Sequence, residues 1–207
     1  KISLLKTLKD DLNNAVIGQE KAIDSLYEMT KKIRFGCNSL RPVSFLFVGG
    51  TGVGKTYLAK EYTKICYGLD HFIRLDMSEY KESHSISKLI GSPPGYVGYE
   101  DNRNVFEEIK DHPYAVLLLD EIEKASLNVV HLFLQILDEG KAKNAKGEEI
   151  RFDNTVIIMT SNLGSEKDNV GFVNEENSKK EEELRLFFGS EFLNRINKVI
   201  YFNNINE

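Results

Sequence analysis

No stretch of this 207-residue sequence is apolar for long enough to cross a bilayer. The longest apolar runs, such as Ala115–Leu119 and Val156–Met159, fall far short of the roughly 18 residues that a spanning helix needs, so no membrane partner is expected. Cysteine is scarce. Cys37 and Cys66 are too far apart for a C-x-x-C pair and too few for a disulfide framework, as expected of two incidental thiols in a reducing, cytoplasmic compartment. Basic charge is not in excess either. With 27 Lys and Arg against 32 Asp and Glu the net charge is −5, which disfavours a general polyanion-binding surface and hence nucleic acid as a partner. Internal repeats, low-complexity tracts and a signal peptide are all lacking, and a chain starting at Lys1 reads as an internal piece of something longer. What remains is ordinary for a globular protein: 41% hydrophobic and 29% charged residues. That is enough to bury one core, and the expectation is a single domain over residues 1–207.

Short apolar runs alternate with helix-like stretches, the pattern of a parallel sheet with helices on both faces. Strands are predicted at Ser44–Val48, Phe72–Leu75, Ala115–Leu119, Thr155–Thr160 and Val199–Phe202. Helical spacing relates Ala22, Ile23, Leu26, Tyr27 and Ile33, and again Leu127, Val130, Leu134 and Leu137, with Gly140 closing the second helix. Another helix follows the first strand, from about Lys55 to Tyr67. Gly91–Gly98, with three glycines and two prolines, reads as a loop, as does the polar stretch Ser165–Ser178 with its apolar island Val170–Phe172. Gly140–Asp153 fits either a hairpin or a long loop.

Chemistry is concentrated in a few places. Gly49, Gly50, Thr51, Gly52, Val53, Gly54, Lys55 and Thr56 fit G-x-x-x-x-G-K-[ST], fed by an apolar strand and leaving into a helix. Glycines let successive backbone N–H groups turn inward around phosphates, at a helix N-terminus whose dipole favours anions. Lys55 is placed to reach the β- and γ-phosphates of ATP, and the Thr56 hydroxyl to ligate Mg²⁺. Downstream, a buried strand ends in Asp120 and Glu121, where open α/β sheets bind ligands. Asp120 suits Mg²⁺, directly or through water. Glu121 suits the general base that polarises an attacking water, which favours hydrolysis over transfer to another acceptor. The strand ending at Thr160 runs into Ser161 and Asn162, which suit either a γ-phosphate contact or a cap on the next turn.

Several blocks occur in the order found in one family. They are Val16-Ile17-Gly18-Gln19, the Gly49–Thr56 loop, Asp76-Met77-Ser78-Glu79-Tyr80 and Leu89–Gly98. Leu118–Ala125, Met159-Thr160-Ser161-Asn162 and Glu191-Phe192-Leu193-Asn194-Arg195 complete the set. Over nearly its whole length the chain resembles the second ATPase module of the Clp family of AAA+ protein unfoldases. One departure is Gly50, where the family usually has proline.

The resemblance implies a three-layer α/β P-loop NTPase fold, the AAA+ large subdomain, with a five-stranded parallel sheet. It implies that Val16 and Ile17 wall the adenine pocket and that Asn162 senses the γ-phosphate. Arg195 is then an arginine finger offered to ATP on a neighbouring subunit, which implies a homo-hexamer. Gly95-Tyr96-Val97-Gly98 resembles the pore loop that grips unfolded or tagged polypeptide. Val170-Gly171-Phe172 resembles the tripeptide with which some members bind a ClpP-type peptidase and which disaggregase relatives lack. The first helix and the linker Gly36–Pro42 look closest to the ClpA branch. The family's small helical lid would begin near Phe202–Glu207, so the fragment is expected to hold a site that it completes poorly alone. The competing expectations are a disaggregase acting without a peptidase, and a nucleic-acid motor.

Overall fold

The computed structural model describes residues 2–35, 40–92, 104–164 and 173–204. Its centre is a sheet made by strands β1 (Val43–Val48), β2 (Phe72–Asp76), β3 (Val116–Asp120), β6 (Val156–Ser161) and β7 (Lys198–Tyr201). They lie in the order β2-β3-β6-β1-β7, and every pairing is parallel. All five therefore end at one edge of the sheet. The five predicted strands match these to within a residue or so at each end. Polar Asp76, Asp120 and Ser161 belong to their strands because the ladder continues beneath them, pairing Asp76 with Asp120 and Val48 with Ser161.

Burial follows strand position. β3 and β6 are buried throughout, whereas the edge strand β2 alternates between buried and exposed residues. In the central strands successive side chains enter two separate cores, as the two-residue period of a strand requires. Phe45, Phe47, Leu118 and Ile158 face one layer of helices, formed by α1 (Ile2–Ala15), α2 (Glu20–Phe35) and α3 (Lys55–Cys66). Leu46, Val48, Leu119 and Met159 face the other, which holds α5 (Val105–Asp111), α6 (Leu127–Glu139) and α7 (Val173–Arg195). Each such fully buried side chain contributes about 1.5–3 kcal/mol of transfer free energy. A single turn, α4 (Ser87–Ile90), precedes α5. Among the described residues no helix is long and apolar enough to cross a membrane.

Three local expectations need correction or completion. In α6 the buried stripe is Val129, Phe133, Ile136 and Leu137, while Leu127 is 74% exposed. Its apolar face covers more than half of the circumference, opposite a polar face of Asn128, His131, Gln135 and Asp138, so spacing alone admits two stripes one residue apart, and the sheet selects one. Val130 and Leu134 still pack partly against the core. Residues 173–178, expected in a loop, form the start of α7. Their Glu, Asn and Ser content reads as loop when polarity is weighed, yet Glu is a good helix former and the lysines that follow at 179 and 180 extend the helix. Gly189 (φ 78°) then breaks α7 into two pieces.

Finally, Gly140–Asp153 is a hairpin of β4 (Lys141–Lys143) and β5 (Glu149–Arg151). The Asn144 carboxamide oxygen accepts from the backbone N–H groups of Lys146 and Glu148, building its turn. Gly140 closes α6 in the left-handed region, and a Cβ there would stand 1.8 Å from the Leu40 carbonyl oxygen. No other residue fits that corner.

Candidate active site

The phosphate loop joins β1 to α3, and its backbone explains its glycines. Gly52 (φ 80°) and Gly54 (φ 98°) occupy the left-handed region that side chains disfavour, which lets the loop curl into the start of α3. Val53 anchors the curl by burying its side chain. At the loop's entrance the Gly49 N–H donates to the Ser161 carbonyl (3.2 Å), and a Cβ on Gly49 would come within 2.9 Å of Phe202 Cβ. Buried Gln19 ties the loop to the end of the sheet. Its Nε2 donates to the carbonyls of Val53 (3.1 Å) and Asn203 (2.8 Å), and its Oε1 accepts from the Asn203 N–H.

Lys55 lies at the first turn of α3 with its ammonium at the mouth of the loop. Nζ donates to the carbonyls of Gly49 (2.7 Å) and Gly50 (2.6 Å) and to Asn162 Oδ1 (2.8 Å). Burial pushes the Lys55 pKa down, opposed by the charges of Glu123, Asp120 and Glu121. Asn162 also donates from Nδ2 to Glu121 Oε1 (2.8 Å). One carboxamide therefore links the phosphate-loop lysine to the candidate base. The Glu123 carboxylate receives the Asn162 backbone N–H (2.9 Å) and fixes that residue in place. Capping falls to Ser161, whose hydroxyl accepts from the Leu163 N–H.

Asp120 and Thr56 meet across the cleft, with Thr56 Oγ1 3.0 and 3.1 Å from the two carboxylate oxygens. This pair of oxygen donors fits Mg²⁺, a hard cation that takes oxygen ligands and completes its shell with phosphate and water. Asp120 is held from two further sides. Arg74 on β2 donates to Oδ2 through Nη2 (2.7 Å) and Nε (3.1 Å), and Thr160 on β6 donates to Oδ1 (2.6 Å). Glu121 has φ 57° and ψ 58°, the one non-glycine residue with positive φ among the described residues. Lys55, Thr56, Asp120, Glu121, Thr160 and Asn162 line a cleft of about 270 Å³ with Thr51, Gly52, Gly54 and Tyr57.

The remaining expected residues fall in distinct places. Val16 is buried, with Cγ1 3.8 Å from where a Cβ on Gly54 would lie, whereas Ile17 is 84% exposed beside it. Arg195 is remote from its own cleft. Its carbonyl accepts from Ser44 Oγ near the beginning of β1, and its guanidinium pairs with Asp138 (3.4 Å) and Glu191 (3.1 Å). The tyrosine loop Gly95–Gly98 and the tripeptide Val170–Phe172 lie outside the described residues. Sequence reading assigned no role to Gln19, Arg74, Glu123 or Thr160. Gln19, Glu123 and Thr160 did stand inside quoted motif blocks, but only the folded sheet shows what they touch.

The geometry agrees with what similar proteins are. Residues 41–199 match the family described as AAA domain (Cdc48 subfamily). The chain is 47% identical over 213 residues to Chaperone protein ClpB of Aquifex aeolicus (strain VF5), covering 96% of this chain and 21% of that protein. It is 46% identical over 210 residues to ATP-dependent Clp protease ATP-binding subunit ClpE of Bacillus subtilis (strain 168), covering 97% and 30%. A cryo-EM reconstruction of Hsp104 with ATPyS and FITC casein, in a closed state, is similar at a TM-score of 0.89 and 37% identity, over 98% of this chain and 36% of that one. The chain thus spans between 21% and 36% of the length of these proteins. Chaperone and protease-subunit names occur at nearly equal identity, so similarity does not choose between them, and it lends the ClpA branch no separate support.

Proposed function

Taking as premise that the chain belongs to the AAA domain family (Cdc48 subfamily), with Clp proteins among its relatives, we propose that it is an ATP-hydrolysing module of a hexameric protein unfoldase that threads polypeptide into a ClpP-type peptidase. The observation that carries the hydrolytic part is the chain of contacts Lys55–Asn162–Glu121, which joins a phosphate-binding ammonium to a carboxylate through one carboxamide. In this reading the loop N–H groups and Lys55 bind the phosphates of ATP. Glu121 accepts the proton of the attacking water as its oxygen bonds to the γ-phosphorus and the bond to the departing ADP oxygen breaks. Asn162 shares contacts with both and so registers whether the γ-phosphate is present. Thr56 and Asp120 would hold Mg²⁺, which when bound neutralises charge on the phosphate oxygens. Arg195 would serve the neighbouring subunit, and exposed Ile17 would be covered by the adenine base.

Work on protein chains is proposed from Tyr96 and from Val170-Gly171-Phe172. An aromatic between glycines offers a flat, sequence-tolerant grip on extended polypeptide. An apolar tripeptide within a polar segment is a ready contact for a partner. Nucleic acid and membrane are not partners in this reading, and the setting is cytoplasmic. The ClpB and Hsp104 likenesses favour one rival, a disaggregase without a peptidase. One experiment separates them. The full-length assembled protein should hydrolyse ATP and retain a ClpP-type peptidase in a pull-down, and Phe172→Ala should abolish capture while sparing hydrolysis. No capture by the unmodified protein returns the assignment to the disaggregase, and capture undiminished by the substitution removes Phe172 from the contact.

A further inference from the structure

Two carboxylates from adjacent residues of a strand should not point into the same cleft. Side chains alternate along a strand, so a straight continuation of β3 would send residue 121 to the face opposite Asp120. Here both line one cleft, because Glu121 turns into the left-handed region. That conformation is disfavoured for any residue with a Cβ and persists only where its surroundings hold it. The β3–β6 ladder cannot hold it, since the paired register ends at Leu119 with Met159.

We propose that Thr160 is the positioning residue for hydrolysis, its single hydroxyl bracing Asp120 while holding the Glu121 backbone in the turn that aims its carboxylate. Thr160 is fully buried one residue beyond the last ladder pair. Its Oγ1 donates to Asp120 Oδ1 (2.6 Å) and accepts from the Glu121 N–H (2.9 Å). A hydroxyl has one proton and two lone pairs. Giving the proton to Asp120 turns the lone pairs toward Glu121, so the two bonds orient each other. The hydroxyl thereby supplies at position 121 the partner that the backbone ladder no longer offers.

The two carboxylates depend on it unequally. Asp120 keeps the two N–H bonds of Arg74 and the contact with Thr56 when the Thr160 hydroxyl is absent. Among the described residues the Glu121 N–H has no other partner. Loss of the hydroxyl therefore falls on the aim of Glu121, and so on turnover, and spares nucleotide binding.

The inference rests on Glu121 as the base, and its test keeps the two claims apart. In the full-length assembled protein, Thr160→Val preserves shape and removes the hydroxyl, whereas Thr160→Ser keeps the hydroxyl. Thr160→Val should lower kcat for ATP by about tenfold with KM moving by less than about twofold. Thr160→Ser should restore most of that loss. In a Glu121→Gln background Thr160→Val should cost nothing further, because the group that it aims is already gone. If Thr160→Val does not assemble, Thr160→Cys, a weak donor of similar size, gives the same comparison with Thr160→Ser. Unaltered kcat, an equal loss in Thr160→Ser, or a loss confined to KM overturns the positioning role. Full turnover by Glu121→Gln would instead overturn the hydrolytic reading beneath it.

Discussion

Replacing Glu121 by Gln is expected to slow ATP turnover by about 10²–10⁴-fold while ATP stays bound, the range over which a positioned general base acts. The substitution removes basicity and little else. A glutamine keeps an Oε1 acceptor for Asn162 Nδ2, and the left-handed backbone at position 121 depends on its N–H bond to Thr160, which is unchanged. None of the contacts of Lys55 or Thr56 involves the Glu121 side chain. The phosphate loop should therefore fill as before and fail to empty by hydrolysis. Nucleotide retained after rapid desalting, measured beside phosphate release, gives both halves of the result. Turnover within about twofold of the unmodified protein would remove Glu121 from this role.

The second large effect is expected at Arg195. Arginine fingers in GTPases are worth about 10³–10⁵ in rate, and Arg195→Ala should lose turnover on that scale without losing ATP affinity. The reason lies in where the residue sits. Its carbonyl meets Ser44 at the beginning of β1, and the phosphate loop starts beyond the other end of the strand. Five residues at about 3.3 Å each set the two apart by roughly 16 Å. Arg195 cannot serve its own cleft, yet its side chain is only 23% exposed and engages Asp138 and Glu191. Those partners are surface carboxylates, and exposed pairs are worth about 0–1 kcal/mol, so they hold the guanidinium lightly. Phosphate release by Arg195→Ala, measured at concentrations where sedimentation shows rings intact, should fall. Undiminished release would leave Arg195 as a helix-end ion pair.

How much of this was legible beforehand divides along one physical line. The phosphate loop could be read because its chemistry is contiguous: glycines, lysine and threonine stand in one stretch between a strand and a helix. Asp120 and Glu121 could be read because they end an apolar run. Contacts across the sheet could not. Arg74 reaches Asp120 over 46 residues and Thr160 reaches it over 40, whereas Gln19 binds Asn203 across 184. Such pairs arise only when the strands and the segments that flank them come together in the fold, and no local pattern encodes them. The role of Asn162 came from resemblance, and the structure supplied the contacts that fit it. Leu127 and the opening of α7 were misread for a related reason. In the helix containing Leu127, apolar residues on most sides leave the buried face to be chosen by the sheet, and in α7 polarity masks helix propensity.

The proposed function requires an ATP site assembled from two subunits, with Glu121 supplied by one and Arg195 by the next. Mixing full-length Glu121→Gln protein with Arg195→Ala protein tests it most directly, since each alone should be nearly inactive at this site. In randomly mixed rings, about a quarter of the interfaces pair an intact Glu121 with a neighbour's intact Arg195, and turnover should recover toward that fraction of the unmodified rate. A mixture no more active than its two components, under conditions where the subunits demonstrably exchange, would contradict the shared site.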